Sequence, residues 1–191
     1  MKKAAFLDRD GVLNRKASSE DDYVTRWEEM EFLPGVHEAV RLLNQAGYFV
    51  VGVSNQRCVA KGFITTSKLE SIHARMRREF KAAGARIDAI YYCPHEVQPP
   101  CSCRKPEPGM LLEAAREHQI DLVESWMIGD SERDVEAGKR AGCRTVQLMD
   151  DCKSRIGEAD AVASSLLEAV HKLLEIQRDF AAASAGLPQL F

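Results

Sequence analysis

Two acidic side chains near the start of the chain have the spacing of a metal-binding pair. Asp8 and Asp10 are separated by one residue and follow the short apolar run 4–7. Carboxylate oxygens are the ligands that Mg²⁺ prefers, and two carboxylates this close can share one divalent cation. An Asp-x-Asp pair alone is also typical of a solvated turn or a helix cap. The pair therefore needs support from elsewhere in the chain.

Other polar groups follow other apolar runs. Ser54, Asn55 and Gln56 end the second run, and Asp130 ends the fourth. Lys105 lies between the third and fourth runs, just before a predicted helix. Each of these could be an ordinary turn, cap or surface residue. Together they place acids, hydroxyl or amide donors and a cation at or near the ends of the predicted strands, a coincidence that random placement would rarely give.

A compact group of cysteine and histidine side chains has the composition of a zinc site. Cys93, His95, Cys101 and Cys103 fall within the stretch 93–103. Three thiols and one imidazole complete a tetrahedral Zn²⁺ shell, and a shell filled by protein indicates a structural metal. Disulfides or unrelated buried thiols are the competing interpretations, and a reducing compartment disfavours the disulfides.

The other cysteines and histidines lack such grouping. Cys58, Cys143 and Cys152 stand apart from one another, and we expect them to be ordinary residues. The remaining histidines fall in helical patterns, and we expect packing or surface roles for His37, His73, His118 and His171.

Short apolar runs alternate with helical patterns along the chain. The predicted strands are Ala4–Leu7, Phe49–Val53, Ala89–Tyr92, Trp126–Ile128 and Thr145–Leu148. This alternation predicts an α/β fold, a Rossmann-like three-layer arrangement with helices on both faces of a parallel sheet. Ligands bind at the carboxyl ends of the strands in such sheets, so the polar groups above should meet at one edge.

Two predicted helices begin with capping boxes. Ser67 pairs with Glu70, and Ser165 pairs with Glu168, each at the spacing in which serine and glutamate cap one another's backbone.

The domain organisation is simple. We expect one domain over 1–178 that contains a zinc loop at 93–103, followed by a C-terminal tail at 179–191. The polar stretch 14–31 is long enough to form a rim loop or lid. No insertion is large enough for a cap domain, so loops alone would cover the site.

Composition narrows the class of protein. The chain has 191 residues, with 26 basic and 29 acidic side chains and a net charge of −3, which predicts no nucleic-acid partner. The balance of 45% hydrophobic and 29% charged residues is typical of a soluble globular protein. The first apolar run stops at Asp8, so we expect no signal peptide, no membrane partner and a cytoplasmic location. We also expect a monomer.

The motifs in order resemble those of a known family. They are Phe6–Asn14, Ser54–Gln56, Arg104–Pro106, and Gly129–Ser131 with Asp134. Over about residues 4–150 this series is similar to the haloacid dehalogenase (HAD) superfamily of phosphohydrolases. Within it, the sequence is most similar to the histidinol-phosphate phosphatase-like branch and its heptose 1,7-bisphosphate 7-phosphatases. That branch also carries a zinc loop directly before Arg-Lys-Pro.

The resemblance implies a reaction at phosphorus. Asp8 would be the nucleophile that forms an aspartyl-phosphate, and Asp10 the general acid and base. Mg²⁺ would be held by Asp8, Asp130 and the backbone carbonyl of Asp10. Ser54 and Lys105 would stabilise the phosphoryl oxygens.

The resemblance also implies a substrate. Asn55, Gln56 and Arg104 would bind a small phosphorylated sugar, because a guanidinium can grip a second phosphate with two hydrogen bonds. The implied activity is removal of the 7-phosphate of a heptose 1,7-bisphosphate.

Three other interpretations of the function remain open. A histidinol-phosphate phosphatase, or a phosphatase of another small sugar phosphate, would share these acids and the zinc loop. A glycosyltransferase would explain Asp8 and Asp10, but not Lys105 or Asp130. A non-catalytic scaffold could use the zinc loop as an interaction module.

Overall fold

The computed structural model describes residues 1–16, 23–149 and 159–185. Its strands are β1 (Ala4–Leu7), β2 (Phe49–Asn55), β3 (Ala89–Cys93), β4 (Trp126–Gly129), β5 (Arg144–Leu148) and β6 (Ala161–Ala163). Its α-helices are α1 (Val36–Gln45), α2 (Thr66–Ala82), α3 (Gly109–His118), α4 (Glu132–Ala141) and α5 (Leu166–Ala185). The strands form one parallel sheet in the order β3-β2-β1-β4-β5-β6.

Strand β1 shows why the sheet is covered on both sides. Its residues are all buried: Ala5 and Leu7 pack into one apolar cluster, and Ala4 and Phe6 into another. Residues of α1 and α5 belong to the first cluster, and residues of α3 and α4 to the second. A parallel strand with helices on both faces needs apolar side chains in both directions. The predicted three-layer α/β fold is confirmed.

The structure adds one strand that the sequence analysis missed. Strand β6 has three residues, two of them alanine, and within the described ranges its one partner is β5, at the sheet edge. So short a run has no recognisable alternation, and alanine is a weak strand former.

Helix capping differs from the prediction in full at α2 and in part at α5. Helix α2 begins two residues early, because the Thr65 side chain accepts a hydrogen bond from Lys68 N at 3.3 Å, so the predicted cap at Ser67 is wrong. At α5, Ser165 Oγ accepts from Glu168 N at 3.2 Å as expected, but the Glu168 carboxylate accepts from Ser164.

The two segments that sequence analysis set apart are partly described. The ends of the 14–31 stretch meet at the sheet edge, where Arg15 N donates to Glu31 O at 2.7 Å. Residues 179–185 continue α5, and 186–191 lie outside the described residues, as does Cys152. The described ranges contain no separate cap domain. Within them, no helix is both long enough and apolar enough to cross a membrane.

The strand order brings together groups that are distant in sequence. Strand β1 lies between β2 and β4, and the chain returns to its other side after β3. Asp8 N donates to Ile128 O at 3.0 Å, which holds the end of β1 against β4. Such a reversal of strand order opens a crevice at the carboxyl edge of the sheet.

Candidate active site

Three carboxylates meet in this crevice. Asp8 follows β1, Asp130 follows β4, and Asp134 lies in the first turn of α4. One oxygen from each lies within 4.8 Å of the others. Sequence analysis placed Asp134 in a motif without giving it a role. Its spacing of one helical turn from Asp130 was the signal available.

Two glycines make room for these acids. Gly11 has a φ of +98°, and a Cβ there would lie 2.3 Å from Asp130 Oδ2. A Cβ on Gly129 would lie 2.1 Å from the Cβ of Asp134. Any side chain at either position would displace an acid, so the absence of a Cβ is part of the site.

Lys105 is buried among the acids. Its Nζ lies 2.9 Å from Asp8 Oδ1 and 2.6 Å from Asp134 Oδ1, and it donates to Val53 O at 2.9 Å. Burial alone would lower the pKa of Lys105, but Asp134 and Asp8 outweigh it and raise the pKa above its usual value. The ammonium is therefore a fixed positive charge.

Asn55 holds the backbone that carries this lysine. Its Oδ1 accepts from Lys105 N and its Nδ2 donates to Lys105 O, both at 3.0 Å. The sequence predicted that Asn55 would bind substrate. Both polar atoms of its side chain contact the Lys105 backbone, which is a positioning contact across 50 residues of chain, and its substrate role stays a prediction.

One oxygen of Asp8 is fixed and the other is available. Oδ1 accepts from Arg9 N at 2.7 Å and faces Lys105, whereas no donor in the described chain is bonded to Oδ2. Burial raises the pKa of Asp8 to about 7, against the effect of Lys105 and with that of Asp134, Asp10 and Asp130. More negative charge meets here than one lysine balances, which favours a bound cation.

Asp130 supplies a second indication of a cation. Its Oδ1 is buried without a hydrogen-bond partner in the described chain, and its Oδ2 accepts from Lys16 Nζ at 3.2 Å. A buried carboxylate oxygen without a partner is costly unless an ion occupies its free side. Together with Asp8 it offers oxygen ligands of the kind that Mg²⁺ prefers. These residues fit a magnesium ion.

Asp10 lies in a different environment from Asp8. Its Oδ1 accepts from Asn14 Nδ2 at 3.0 Å, its Oδ2 accepts from Gln56 Nε2 at 2.9 Å, and Arg9 donates to both oxygens. Burial raises the pKa of Asp10, but the charge of Arg9 and these hydrogen bonds outweigh it, and the net pKa is lowered. Asp10 is thus held as a carboxylate beside the cluster.

Gln56 joins Asp10 to the end of β2. Besides Asp10, its Nε2 donates to Ser54 Oγ at 2.6 Å, and its side chain is buried. The sequence predicted a substrate-binding role for Gln56. Its Nε2 contacts Asp10 and Ser54, and its Oε1 accepts from Cys58 Sγ at 3.5 Å. Because Ser54 Oγ is the acceptor from Gln56, the Ser54 hydroxyl proton is free to point elsewhere.

Arg9 and His73 were missed as parts of the site. Arg9 is buried and pairs with Asp10 Oδ2 at 2.9 Å, and its Nη1 contacts His73 Nε2 at 3.2 Å. The sequence predicted that His73 would be a packing or surface residue. It is buried in α2, as packing requires, but its ring nitrogen also takes part in this polar network. No spacing rule links positions 9 and 73.

The cysteine and histidine group forms a second cluster. The ligand atoms of Cys93, His95, Cys101 and Cys103 lie within 4.8 Å of one another, and neighbouring pairs are 3.1–3.5 Å apart. The cysteines are free, since a disulfide requires about 2.05 Å between sulfur atoms. Tetrahedral Zn–S bonds of about 2.3 Å place sulfur atoms about 3.8 Å apart, close to this spacing.

The ionisation of the thiols also fits a cation. Burial, then hydrogen bonds with Cys93 and Cys101, raise the pKa of Cys103, and burial raises that of Cys93. Burial acts the same way on Cys101, but hydrogen bonds from its neighbours lower its pKa to about 7. The neighbours favour one thiolate, at Cys101, and oppose a second one at Cys103, and a divalent metal would remove that conflict. The four residues fit zinc.

The loop is tied to the neighbouring parts of the site. Arg104 Nη1 donates to His95 O at 3.3 Å, so the predicted phosphate-binding arginine rests on the loop backbone. Glu96 forms an ion pair with Arg57, which follows Gln56 at the end of β2. The loop thus supports Arg104 and contacts the end of β2.

Comparison with known proteins agrees with this chemistry. A family model described as HAD-hydrolase-like matches residues 102–169. A D-glycero-beta-D-manno-heptose-1,7-bisphosphate 7-phosphatase of Rhodopseudomonas palustris is 43% identical over 146 residues, covering 73% of this chain and 79% of the relative. A protein of the same description from Haemophilus influenzae is 36% identical over 182 residues, covering 92% and 97%.

Solved structures point the same way. The D,D-heptose 1,7-bisphosphate phosphatase of B. bronchiseptica, complexed with magnesium and phosphate, matches with a TM-score of 0.83 and 35% identity, covering 91% of this chain and 99% of that one. The corresponding phosphatase of Burkholderia thailandensis matches with a TM-score of 0.67 and 30% identity, covering 91% and 99%.

Proposed function

Because this chain belongs to the D-glycero-D-manno-heptose-1,7-bisphosphate 7-phosphatase family of HAD-like hydrolases, we propose that it removes the 7-phosphate of that sugar in heptose precursor synthesis. It is a phosphoric monoester hydrolase. The observation that carries the proposal is the buried cluster of Asp8, Asp130 and Asp134 around Lys105. The described cysteines of the chain are free thiols, which is typical of proteins in the reducing cytoplasm, and we place the enzyme there.

Asp8 begins the reaction. Its Oδ2, which has no donor in the described chain, attacks phosphorus while Lys105 and the Arg9 amide hold Oδ1 in place. The bond from phosphorus to the sugar oxygen breaks, and an aspartyl-phosphate forms. Asp10, a carboxylate in the free site, takes up a proton from water as the phosphate binds and gives that proton to the departing oxygen. The charge of the incoming phosphate raises the affinity of Asp10 for that proton.

Asp10 then acts as a base. Its carboxylate, held by Arg9, Asn14 and Gln56, takes a proton from water, and the water oxygen attacks phosphorus. The acyl phosphate bond breaks, which releases inorganic phosphate and restores the Asp8 carboxylate. The lowered pKa of Asp10 suits this second half of the cycle.

Charge in the crevice stabilises both transition states. Asp8 and Asp130 would hold Mg²⁺, with the Asp10 carbonyl as a further ligand, and the ion would neutralise the phosphate. Lys105 adds a fixed positive charge and Ser54 a hydrogen bond. Preorganised charge of this kind is usually the largest catalytic contribution.

Recognition of the rest of the substrate falls to the loop. Arg104, which rests on the backbone of His95, would bind the 1-phosphate, and zinc on Cys93, His95, Cys101 and Cys103 would keep the loop rigid.

A substrate comparison tests the proposal. The kcat/KM of the purified protein is measured with Mg²⁺ on both anomers of heptose 1,7-bisphosphate, on histidinol phosphate and on monophosphorylated sugars. We expect a heptose bisphosphate to be the best substrate, and the β-anomer named for the relatives to exceed the α-anomer. A preference for histidinol phosphate would overturn the substrate. No Mg²⁺-dependent phosphate release from any of them would overturn the activity.

A further inference from the structure

The contacts of Arg9 divide its guanidinium into two halves. Nε and Nη2 donate to Asp10 at 2.9–3.1 Å, and Nη1 faces His73 Nε2 at 3.2 Å. The arginine is buried, so bulk water does not compete for these donors. An arginine fixed at both ends presents its charge to Asp10 in one orientation.

His73 can only be the hydrogen-bond acceptor in this contact. Arginine has no acceptor atom, so the His73 Nε2 must accept and the ring must be neutral, with its proton on Nδ1. Burial first, and then the charge of Arg9, lower the pKa of His73 to about 3, which agrees with a neutral ring.

A neutral acceptor has an advantage over a charged one here. A carboxylate at this position would compete with Asp10 for the charge of Arg9. An apolar side chain would leave a buried N–H without a partner. The imidazole satisfies that N–H and leaves the full charge to Asp10. Its ring also packs near Tyr92, with centroids 5.5 Å apart, so α2 and β3 set its position.

We propose that His73 is a positioning residue for the phosphatase reaction: its Nε2 anchors Arg9, and Arg9 holds the Asp10 carboxylate in place for proton transfer. This inference rests on the proposed role of Asp10. It extends the site from the sheet edge to the buried face of α2, which touches none of the reacting atoms.

Two substitutions separate the acceptor from the ring. His73→Gln keeps an acceptor oxygen near the place of Nε2 but removes the ring. His73→Phe keeps a ring against Tyr92 but removes the acceptor. kcat and KM are measured with Mg²⁺ on heptose 1,7-bisphosphate and on p-nitrophenyl phosphate, and thermal unfolding reports whether each variant folds.

We expect His73→Phe to lower kcat on the sugar phosphate by about tenfold to a hundredfold with little change in KM, since misplacement of a catalytic group acts on the chemical step. The loss on p-nitrophenyl phosphate should be smaller, because its leaving group needs less help from an acid. His73→Gln should restore kcat to within about threefold of the wild type, as expected when the acceptor is kept.

The outcomes are distinct. If activity follows the ring, so that the phenylalanine variant is active and the glutamine variant is not, the proposal is wrong. Equal losses on both phosphates would also overturn it. If His73→Phe fails to fold, the glutamine variant still decides, because a large loss of kcat in that folded protein contradicts the anchor. An inactive wild type would instead refute the proposed function.

Discussion

The acid cluster and the zinc loop are built in opposite ways. Asp8 follows β1, Lys105 lies in the loop before α3, and Asp134 lies in the first turn of α4, so only the folded sheet brings them together. The four cysteine and histidine ligands come from the single stretch 93–103. A site assembled by the whole fold should persist as long as the sheet does, whereas a site assembled by one loop depends on its own metal.

The acid cluster and the loop also differ in how far their charges are balanced before a metal binds. Lys105 pairs with Asp8 and Asp134 inside the acid cluster, so these acids are partly compensated before any metal binds. The sulfur atoms of the loop contact one another and His95. We therefore expect removal of metal to disturb the loop more than the acid cluster.

The largest expected effect is the loss of kcat on substitution of Asp8, which should leave the fold intact. Asp8→Asn should lower kcat by at least about 10⁴-fold, because the amide is not a nucleophile toward phosphorus. The apparent melting temperature without metal should equal or exceed that of the wild type, since the amide removes a buried negative charge. Steady-state kinetics and thermal unfolding check both points.

The matched control for this variant is Asp121→Asn. Asp121 follows α3 at the opposite end of β4, and its side chain accepts a hydrogen bond from Val123 N. We expect its kcat to stay within about twofold of the wild type, as for most substitutions outside a site. Near-wild-type turnover by Asp8→Asn would remove Asp8 from the nucleophile role.

The second acid should show a smaller and more selective loss. Asp10→Asn should lower kcat on a sugar phosphate by about 10²–10³-fold, the usual contribution of general acid–base catalysis, and by less on p-nitrophenyl phosphate. The comparison of leaving groups is the measurement. Equal losses on both would argue that Asp10 only holds the site together.

The two regions also differ in how far the sequence predicts them. The clustering of the four cysteine and histidine residues is predicted in full, because residue spacing within eleven residues is a local property. The acid cluster is predicted through the fold: alternating strands and helices imply a parallel sheet, and the residues after the strands then meet at one edge.

Contacts between residues of distant elements could not be predicted from the sequence. The two hydrogen bonds from Asn55 to the Lys105 backbone were not predicted, and His73 was not connected to Arg9 at all. Both contacts depend on side-chain directions that follow from packing. Strand β6 was missed for a related reason: pairing with β5, and not its own sequence, makes it a strand.

Loss of zinc should weaken recognition more than chemistry. In Cys103→Ser the loop that supports Arg104 loses a ligand, while Asn55 still holds the Lys105 backbone. We expect KM for the bisphosphate to rise about tenfold with kcat within about threefold, as when ground-state and transition-state binding are lost equally. Zinc content by elemental analysis, and kinetics in excess Mg²⁺, test this.

The control for the loop is Cys143→Ala, which changes a buried thiol outside it. That variant should keep its zinc and its KM. A collapse of kcat in Cys103→Ser would show that the acid cluster depends on the loop after all, and the contrast between the regions would fail.

The smallest expected effect tests how far the acid site reaches into the fold. The folded pKa of His73 is about 3 against an ordinary value of 6.5, so between these values the unfolded chain binds a proton that the folded chain does not. The stability from the neutral ring is complete above pH 6.5 and is lost as the pH falls toward 3. By pH 5 the loss should be about 2 kcal/mol.

Urea unfolding of the wild type and His73→Gln from pH 7.5 to 5 measures this loss, because glutamine does not titrate and the carboxylates common to both proteins cancel in the difference. The two free energies of unfolding should converge, or cross, as the pH falls. Parallel curves would mean that His73 becomes protonated in the folded protein without cost. Arg9 would then have no neutral acceptor, and the acid site would end at the sheet edge and not on α2.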